Sequence, residues 1–198
     1  MKYACIITIG DELLQGYTID TNSAWLGKIL NNYDVRVQRK ITIADELDVI
    51  QNELSKALDK YDLVFVTGGL GPTFDDITQA AIQNIVGAKL NFDEEYYEAL
   101  KLKFKERKIE IAANNYSQAM VIIGTKAIPN SLGTARGIHV ESNGNHLFSM
   151  PGVPAEMKGM FSDYIVKKYL SEVKKNSIAL IRTTGISESK LAEKIQQY

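Results

Sequence analysis

The chain has little of the residues that staple or ligate: one cysteine, two histidines, one tryptophan and four prolines in 198 residues. A lone cysteine cannot form an internal disulfide, and two histidines nearly exclude a zinc site of the Cys/His kind. No apolar run approaches the roughly 20 residues that a membrane-spanning helix needs. The opening Met1 to Ile7 turns polar at Gly10-Asp11-Glu12, too soon for a secretory signal, so a soluble, cytoplasmic protein with no membrane partner is expected. Neither sign of charge dominates, with 23 Lys and Arg against 24 Asp and Glu, so no global basic field attracts nucleic acid. What is present is an ordinary globular composition, 45% hydrophobic and 24% charged, in a chain long enough to bury a sizeable core.

Tyr3 to Ile9 is a short apolar run closed by Gly10, the pattern of a strand covered on both faces. Trp25, Leu26, Ile29 and Leu30 recur at helical spacing, which predicts a helix from about Asn22. Val35, Val37, Ile41 and Ile43 fall on alternate positions and predict a strand with one wetter face. Asp45 is placed to cap a helix whose Leu47, Ile50, Leu54 and Leu58 form one stripe. Leu63 to Val66 is the clearest buried strand, and a helix with Ile77, Ala80, Ala81 and Ile85 begins near Asp75-Asp76. Three such units predict a parallel sheet with right-handed crossovers. Beyond them, Asp93 to Lys108 reads as a charged helix with a solvated face, and Ile138 to Met150 as a hairpin about Asn143-Gly144. Ala155 to Tyr169 reads as a helix burying Met157, Met160, Phe161, Tyr164 and Ile165. Ile178 to Arg182 is expected as a strand and Ser187 as the cap of a last helix.

Four stretches carry chemistry. Thr67-Gly68-Gly69-Leu70-Gly71-Pro72-Thr73-Phe74-Asp75-Asp76 follows a buried parallel strand, where open α/β sheets bind ligands. Its glycines let backbone N–H groups approach an anion, and the Thr73 hydroxyl adds a donor. One aspartate suffices to cap the next helix; two adjacent carboxylates beside a phosphate point to a hard cation such as magnesium between them. The loop is neither a Walker A sequence, since no lysine follows Gly71, nor a dinucleotide fingerprint, since Phe74 stands where a third glycine belongs. Gly10-Asp11-Glu12-Leu13-Leu14-Gln15-Gly16 with Asp20-Thr21-Asn22 leaves another buried strand and is expected on the same edge, with Asp20 also suited to cap a helix. Asn130-Ser131-Leu132-Gly133-Thr134-Ala135-Arg136-Gly137 offers backbone donors, hydroxyls and an arginine for a phosphate or sugar, or forms a plain turn. Met150-Pro151-Gly152-Val153-Pro154-Ala155-Glu156 is a stiff strand-to-helix connection. No protein nucleophile stands out: Cys5 lies in an apolar strand as packing, and His139 and His146 read as surface or half-buried residues of the hairpin.

In order and spacing over residues 1 to 170, these four stretches resemble the N-terminal domain of the CinA family, the competence/damage-inducible proteins, a branch of the molybdopterin-binding MoaB/MogA-like fold. The resemblance implies the α/β class, as a three-layer α/β/α fold with a mostly parallel sheet and an added β-hairpin, and a homo-oligomer, dimer or trimer. It divides the chain into that domain (1–170) and an extension (171–198) similar to the start of a small segment in longer members; their deamidase domain is not expected within these residues, so deamidation is not carried over. Two activities are implied. One is metal-dependent hydrolysis of ADP-ribose at its pyrophosphate; the other is molybdopterin binding with adenylyl transfer in molybdenum cofactor biosynthesis. In both, Asp75, Asp76 and Asp20 would hold a divalent metal (Mg, or Co/Mn) and act catalytically. Gly68, Gly69, Gly71, Thr73, Asp11, Glu12, Asn22, Gly133, Thr134, Pro151, Gly152 and Glu156 would line the site for a nucleotide or pterin phosphate. Many members carry a basic pair where this chain has Asn114-Asn115-Tyr116-Ser117-Gln118-Ala119. The loss of positive charge there fits a third reading, a non-catalytic nucleotide sensor.

Overall fold

The strands read as doubly covered lie at the centre of a six-stranded sheet. The computed structural model describes residues 1–71, 77–171 and 181–196. In chain order the elements are β1 (Lys2–Ile9), the single turn α1 (Asp11–Leu14), α2 (Thr21–Leu30), β2 (Val35–Ile43), α3 (Leu47–Lys60), β3 (Leu63–Thr67), α4 (Thr78–Val86), β4 (Leu90–Phe92), α5 (Glu94–Glu106), β5 (Met120–Ile122), β6 (Lys126–Ile128), β7 (Gly137–Ser142), β8 (Asn145–Met150), α6 (Pro154–Met160) and α7 (Glu188–Ile195). The sheet order is β2-β1-β3-β8-β7-β6. The first four run parallel, and β7 and β6 each reverse direction relative to the strand before. β4 and β5 pair apart from it as a two-stranded antiparallel ribbon.

Alternation along the central strands divides the interior in two. Cys5, Ile7 and Ile9 of β1, with Val64 and Val66 of β3, pack against Ile50, Leu54 and Leu58 of α3 and Ala81 and Ile82 of α4. Ala4, Ile6, Leu63 and Phe65 point the other way, onto Leu26 and Leu30 of α2 and Met157, Met160 and Phe161. A strand buried on both faces has no side left for polar residues, which is why these runs are continuously apolar. Helices therefore cover both faces, and the fold is three-layered. α6 continues through residues Phe161–Leu170 with wider, π-type turns, and Trp25 meets Phe161 edge-on at 5.3 Å. No helix among the described residues is long and apolar enough to cross a membrane.

The hairpin turns at Asn143 (φ 52°) and Gly144 (φ 83°), as two left-handed residues require. It is built into the sheet, since β8 pairs in parallel with β3 from Leu63↔His146 to Thr67↔Met150. Several local readings are corrected. Asp45 does not cap α3; Glu46 occupies that position and makes no side-chain cap bond. Ile181 and Arg182 are not in a strand, and the rest of that expected strand lies outside the described residues. Ser187 stands at the N-cap of α7, but its hydroxyl lies 3.3 Å from that of Ser189 and caps no amide. The cationic side of α5 is not simply solvated: Lys103 donates to the carbonyls of Asn130 and Gly133, both at 3.0 Å, and Arg107 to that of Leu132 at 3.1 Å. His139 is fully buried, not a surface residue, because Tyr164 and Tyr169 close over it.

Candidate functional site

Thr8, Thr67 and Met150 stand side by side in register across three parallel strands. Each strand ends there or one residue later, so the loops opened by Gly10, Gly68 and Pro151 emerge on one rim. They are close enough to exclude side chains. Gly68 donates to Met150 O at 3.1 Å, and a Cβ on it would lie 2.3 Å from the carbonyl oxygen of Ile9. A Cβ on Gly69 would lie 2.2 Å from Thr78 Oγ1. Both glycines have positive φ, 111° and 65°, so the loop needs glycine for conformation as well as room. Thr78, fully buried in the first turn of α4, fixes the loop from behind: its Oγ1 donates to Gly68 O and its amide to Gly69 O, each at 3.1 Å.

The rim encloses a cavity of about 570 Å³. Ten of the expected residues line it: Glu12, Asp20 and Asn22 from the first loop, Gly68, Gly69 and Gly71 from the second, Thr134 from the third, and Pro151, Gly152 and Glu156 from the fourth. Thr73, Asp75 and Asp76 lie outside the described residues. Asp11 and Gly133 do not line the cavity. The Asp11 carboxylate accepts from the Asp45 amide at 3.3 Å, bracing the neighbouring loop. Gly133 lies against the Glu156 carboxylate, where a Cβ would be 2.3 Å from its Cδ.

Asp20 is both cap and wall. Its carboxylate accepts from the Ser23 amide at 2.9 Å, from the Ser23 hydroxyl, and from Thr8 Oγ1 at 3.2 Å. Those bonds fix the carboxylate's orientation at the start of α2 while leaving it on the cavity. Asn22 ties two loops together by donating to Gly152 O at 2.7 Å; its Oδ1 is buried with no hydrogen-bond partner among the described residues. Glu156, in the first turn of α6, accepts from Asn130 Nδ2 at 2.7 Å. Asn130 in turn shapes the 130–135 loop, taking the Gly133 amide at 2.8 Å and donating to Ala135 O at 2.9 Å.

Four carboxylates, those of Glu12, Asp20, Asp45 and Glu156, belong to residues lining the cavity, and among the described lining residues there is no lysine, arginine or histidine. Arg136 is not there: it pairs with Asp93 and lies 3.7 Å over the Tyr96 ring. The Tyr96 amide and the guanidinium hold the Asp93 carboxyl below its usual range. Tyr96 in turn donates to Thr134 O, and Gln118 Nε2 donates to Thr134 Oγ1 at 3.2 Å. Gln118, Thr78 and, as a cavity carboxylate, Asp45 are residues to which the motifs did not point. Gln118 sits in the stretch singled out for lacking a basic pair, and Thr78 opens the helix behind the glycines. Cys5 is unreactive packing, its thiol pushed up to about 11 by burial. Hard oxygen donors beside a glycine-rich loop accept a phosphate-bearing ligand when a hard cation offsets the carboxylates. The donor set fits such a cation.

The comparisons with known proteins identify the family and the fold. Residues 5–171 match the family described as a probable molybdopterin binding domain. A CinA-like protein of Thermosipho melanesiensis is 39% identical over 194 residues, 98% of this chain and 48% of the relative. One from Chlorobaculum tepidum is 41% identical over 201 residues, 97% of this chain and 47% of the relative. The chain thus spans about half the length of these curated relatives. Among solved structures, the protein CinA of Thermoplasma acidophilum, described as of unknown function, superposes with a TM-score of 0.76 at 33% identity, covering 85% of this chain and 98% of that one. The molybdopterin biosynthesis enzyme MoaB of Thermus thermophilus shares the fold with a TM-score of 0.55 at 18% identity, over 81% of this chain and 87% of the other.

Proposed function

The chain belongs to the family of the probable molybdopterin binding domain, in its CinA-like branch, and on that premise we propose that the cavity binds a phosphate-bearing nucleotide and hydrolyses the pyrophosphate bridge of an ADP-ribose-type substrate with a divalent cation. The observation that carries the reading is the meeting of the Gly68–Gly71 loop with Asp20, Glu12 and Glu156 around one cavity. Its volume falls within the range of about 300–1,000 Å³ common to small-molecule sites. Beyond Gly68, whose own amide is taken by Met150 O, the amides of the glycine loop bind phosphate oxygens, the loop being held in place by Thr78. Asp20, together with Asp75 and Asp76 of the glycine-loop motif, would hold the cation, which when bound offsets the charge of the diphosphate. Glu12, which stays on the cavity while its neighbour Asp11 braces Asp45, orients water. Water oxygen attacks one phosphorus, the bridging P–O bond breaks, and AMP and ribose 5-phosphate leave.

Release of AMP from ADP-ribose, measured with magnesium, cobalt or manganese and after chelation, tests the reaction. AMP is expected only with metal, and Asp76→Asn is expected to lower the rate by at least about a hundredfold, since a helix cap alone tolerates asparagine. A second reading, binding of a pterin phosphate with adenylyl transfer, draws on the family description. Tight binding of molybdopterin with no AMP formed from ADP-ribose selects it. Binding of ADP-ribose without turnover selects a nucleotide sensor.

A further inference from the structure

At the far end of β8 from the cavity, the two histidines of the chain face each other across the hairpin. His139 Nε2 and His146 Nδ1 lie 3.1 Å apart. Glu141 is paired directly opposite His146 and lies two residues after His139, so all three side chains stand on one face of the sheet. One ligand atom from each can be chosen so that all three lie within 4.8 Å of one another. The far nitrogen of His139 is held by two hydroxyls, Tyr164 at 3.2 Å and Tyr169 at 3.1 Å. These fix the ring, and in the tautomer that donates Nδ1–H to one of them, Nε2 keeps its lone pair toward His146. Such an outer hydrogen bond commonly accompanies a ligating imidazole. The cluster is not sealed, since Glu141 is exposed and His146 half-buried. Glu141 already attracts a cation, the Lys126 ammonium, at 3.0 Å.

We propose that His139, His146 and Glu141 form a second, borderline-soft metal site, suited to zinc, cobalt(II) or nickel(II) and separate from the phosphate cavity. With metal–nitrogen bonds of about 2.0–2.1 Å, two imidazoles on one tetrahedral ion stand about 3.3 Å apart, so the pair needs a shift of only tenths of an ångström. Glu141 turns inward to complete three protein ligands, releasing Lys126 and leaving a fourth position to solvent. Two imidazoles and one carboxylate favour these ions over magnesium or calcium, which take oxygen ligands.

Because the chain has only two histidines, their imidazole proton resonances report the site directly. Zinc titrated into the chelator-stripped full chain, under excess magnesium to occupy the cavity, is expected to move both sets to a new position, complete at one equivalent. Glu141→Gln and His146→Gln are expected to weaken binding by at least about tenfold while leaving magnesium-dependent turnover of ADP-ribose unchanged. Lys126→Gln, which removes the competing ammonium, is expected to tighten binding severalfold. Imidazole resonances that do not move with zinc, or equal affinity in wild type and Glu141→Gln, would overturn the site. Neither result bears on hydrolysis at the cavity.

Discussion

Strand β8 meets different company at its two ends. Where it leaves the sheet at Met150, it gives Gly68 a backbone acceptor at 3.1 Å and passes into Pro151-Gly152, beside glycines too crowded for side chains. Where it enters, His146 bonds His139, which bonds Tyr164 and Tyr169, with Phe148 stacked 4.6 Å from the His139 ring. The first end is made of backbone, leaving amides and carboxylates around an open cavity. The second is made of side chains that largely satisfy one another. Small residues keep polar backbone available to a ligand, whereas large polar aromatics consume their hydrogen-bonding capacity in packing. The contrast explains why the cavity lies at one end of the strand and the ordered cluster at the other.

The contrast can be broken most severely at the glycine rim. Gly68→Ala places a methyl group against the Ile9 carbonyl in a conformation that L-residues avoid. A stability loss of about 3–4 kcal/mol in denaturant unfolding, together with loss of nucleotide binding, is expected. At the other end, acid does the equivalent damage. Burial and the neighbouring His146 push the His139 pKa down to about 4 from 6.5. The unfolded chain therefore binds more protons between those values. The stability contributed by neutral His139 is complete above about pH 6.5 and is lost as pH falls toward 4, on the order of 3 kcal/mol. Unfolding midpoints of the metal-free protein between pH 8 and pH 4.5 are expected to follow that course, and His139→Gln to flatten it.

Smaller changes sharpen the comparison. Asp20→Asn keeps a good helix cap but removes charge from the cavity wall; about a tenfold loss of metal-dependent nucleotide affinity by calorimetry is expected, with under about 1 kcal/mol of destabilisation. A stability loss with affinity intact would assign Asp20 to capping alone. The least effect belongs to Glu141→Gln without metal. Its ion pair with Lys126 is exposed, so stability should change by less than about 0.5 kcal/mol.

Much of this was legible in the chain. Continuous apolar runs such as Leu63 to Val66 could only be strands covered twice, and glycines placed just after them could only be loops at one edge. The short β4, β5 and β6 were not legible, because three residues show no periodicity. Nor was the fate of Arg136: a cation in a phosphate-like loop reads as a ligand group until Asp93, far earlier in the chain, is seen to claim it. Asp11 and Glu12, adjacent and alike in composition, part company for a similar reason, one turned to the Asp45 amide and the other to the cavity. His139 shows the limit most plainly, since the helix that buries it lies beyond the hairpin that carries it.

The parallel pairing of β3 with β8 has a consequence for biogenesis. The chain from Gly68 to Asn145 must be made before β3 gains its second neighbour, so a nascent protein holding only the first three strands presents Val64, Phe65 and Val66 along a bare edge. Such an edge templates pairing with another chain. Ribosomal pausing within that interval is therefore expected to favour aggregation, and completion of the hairpin to end the hazard.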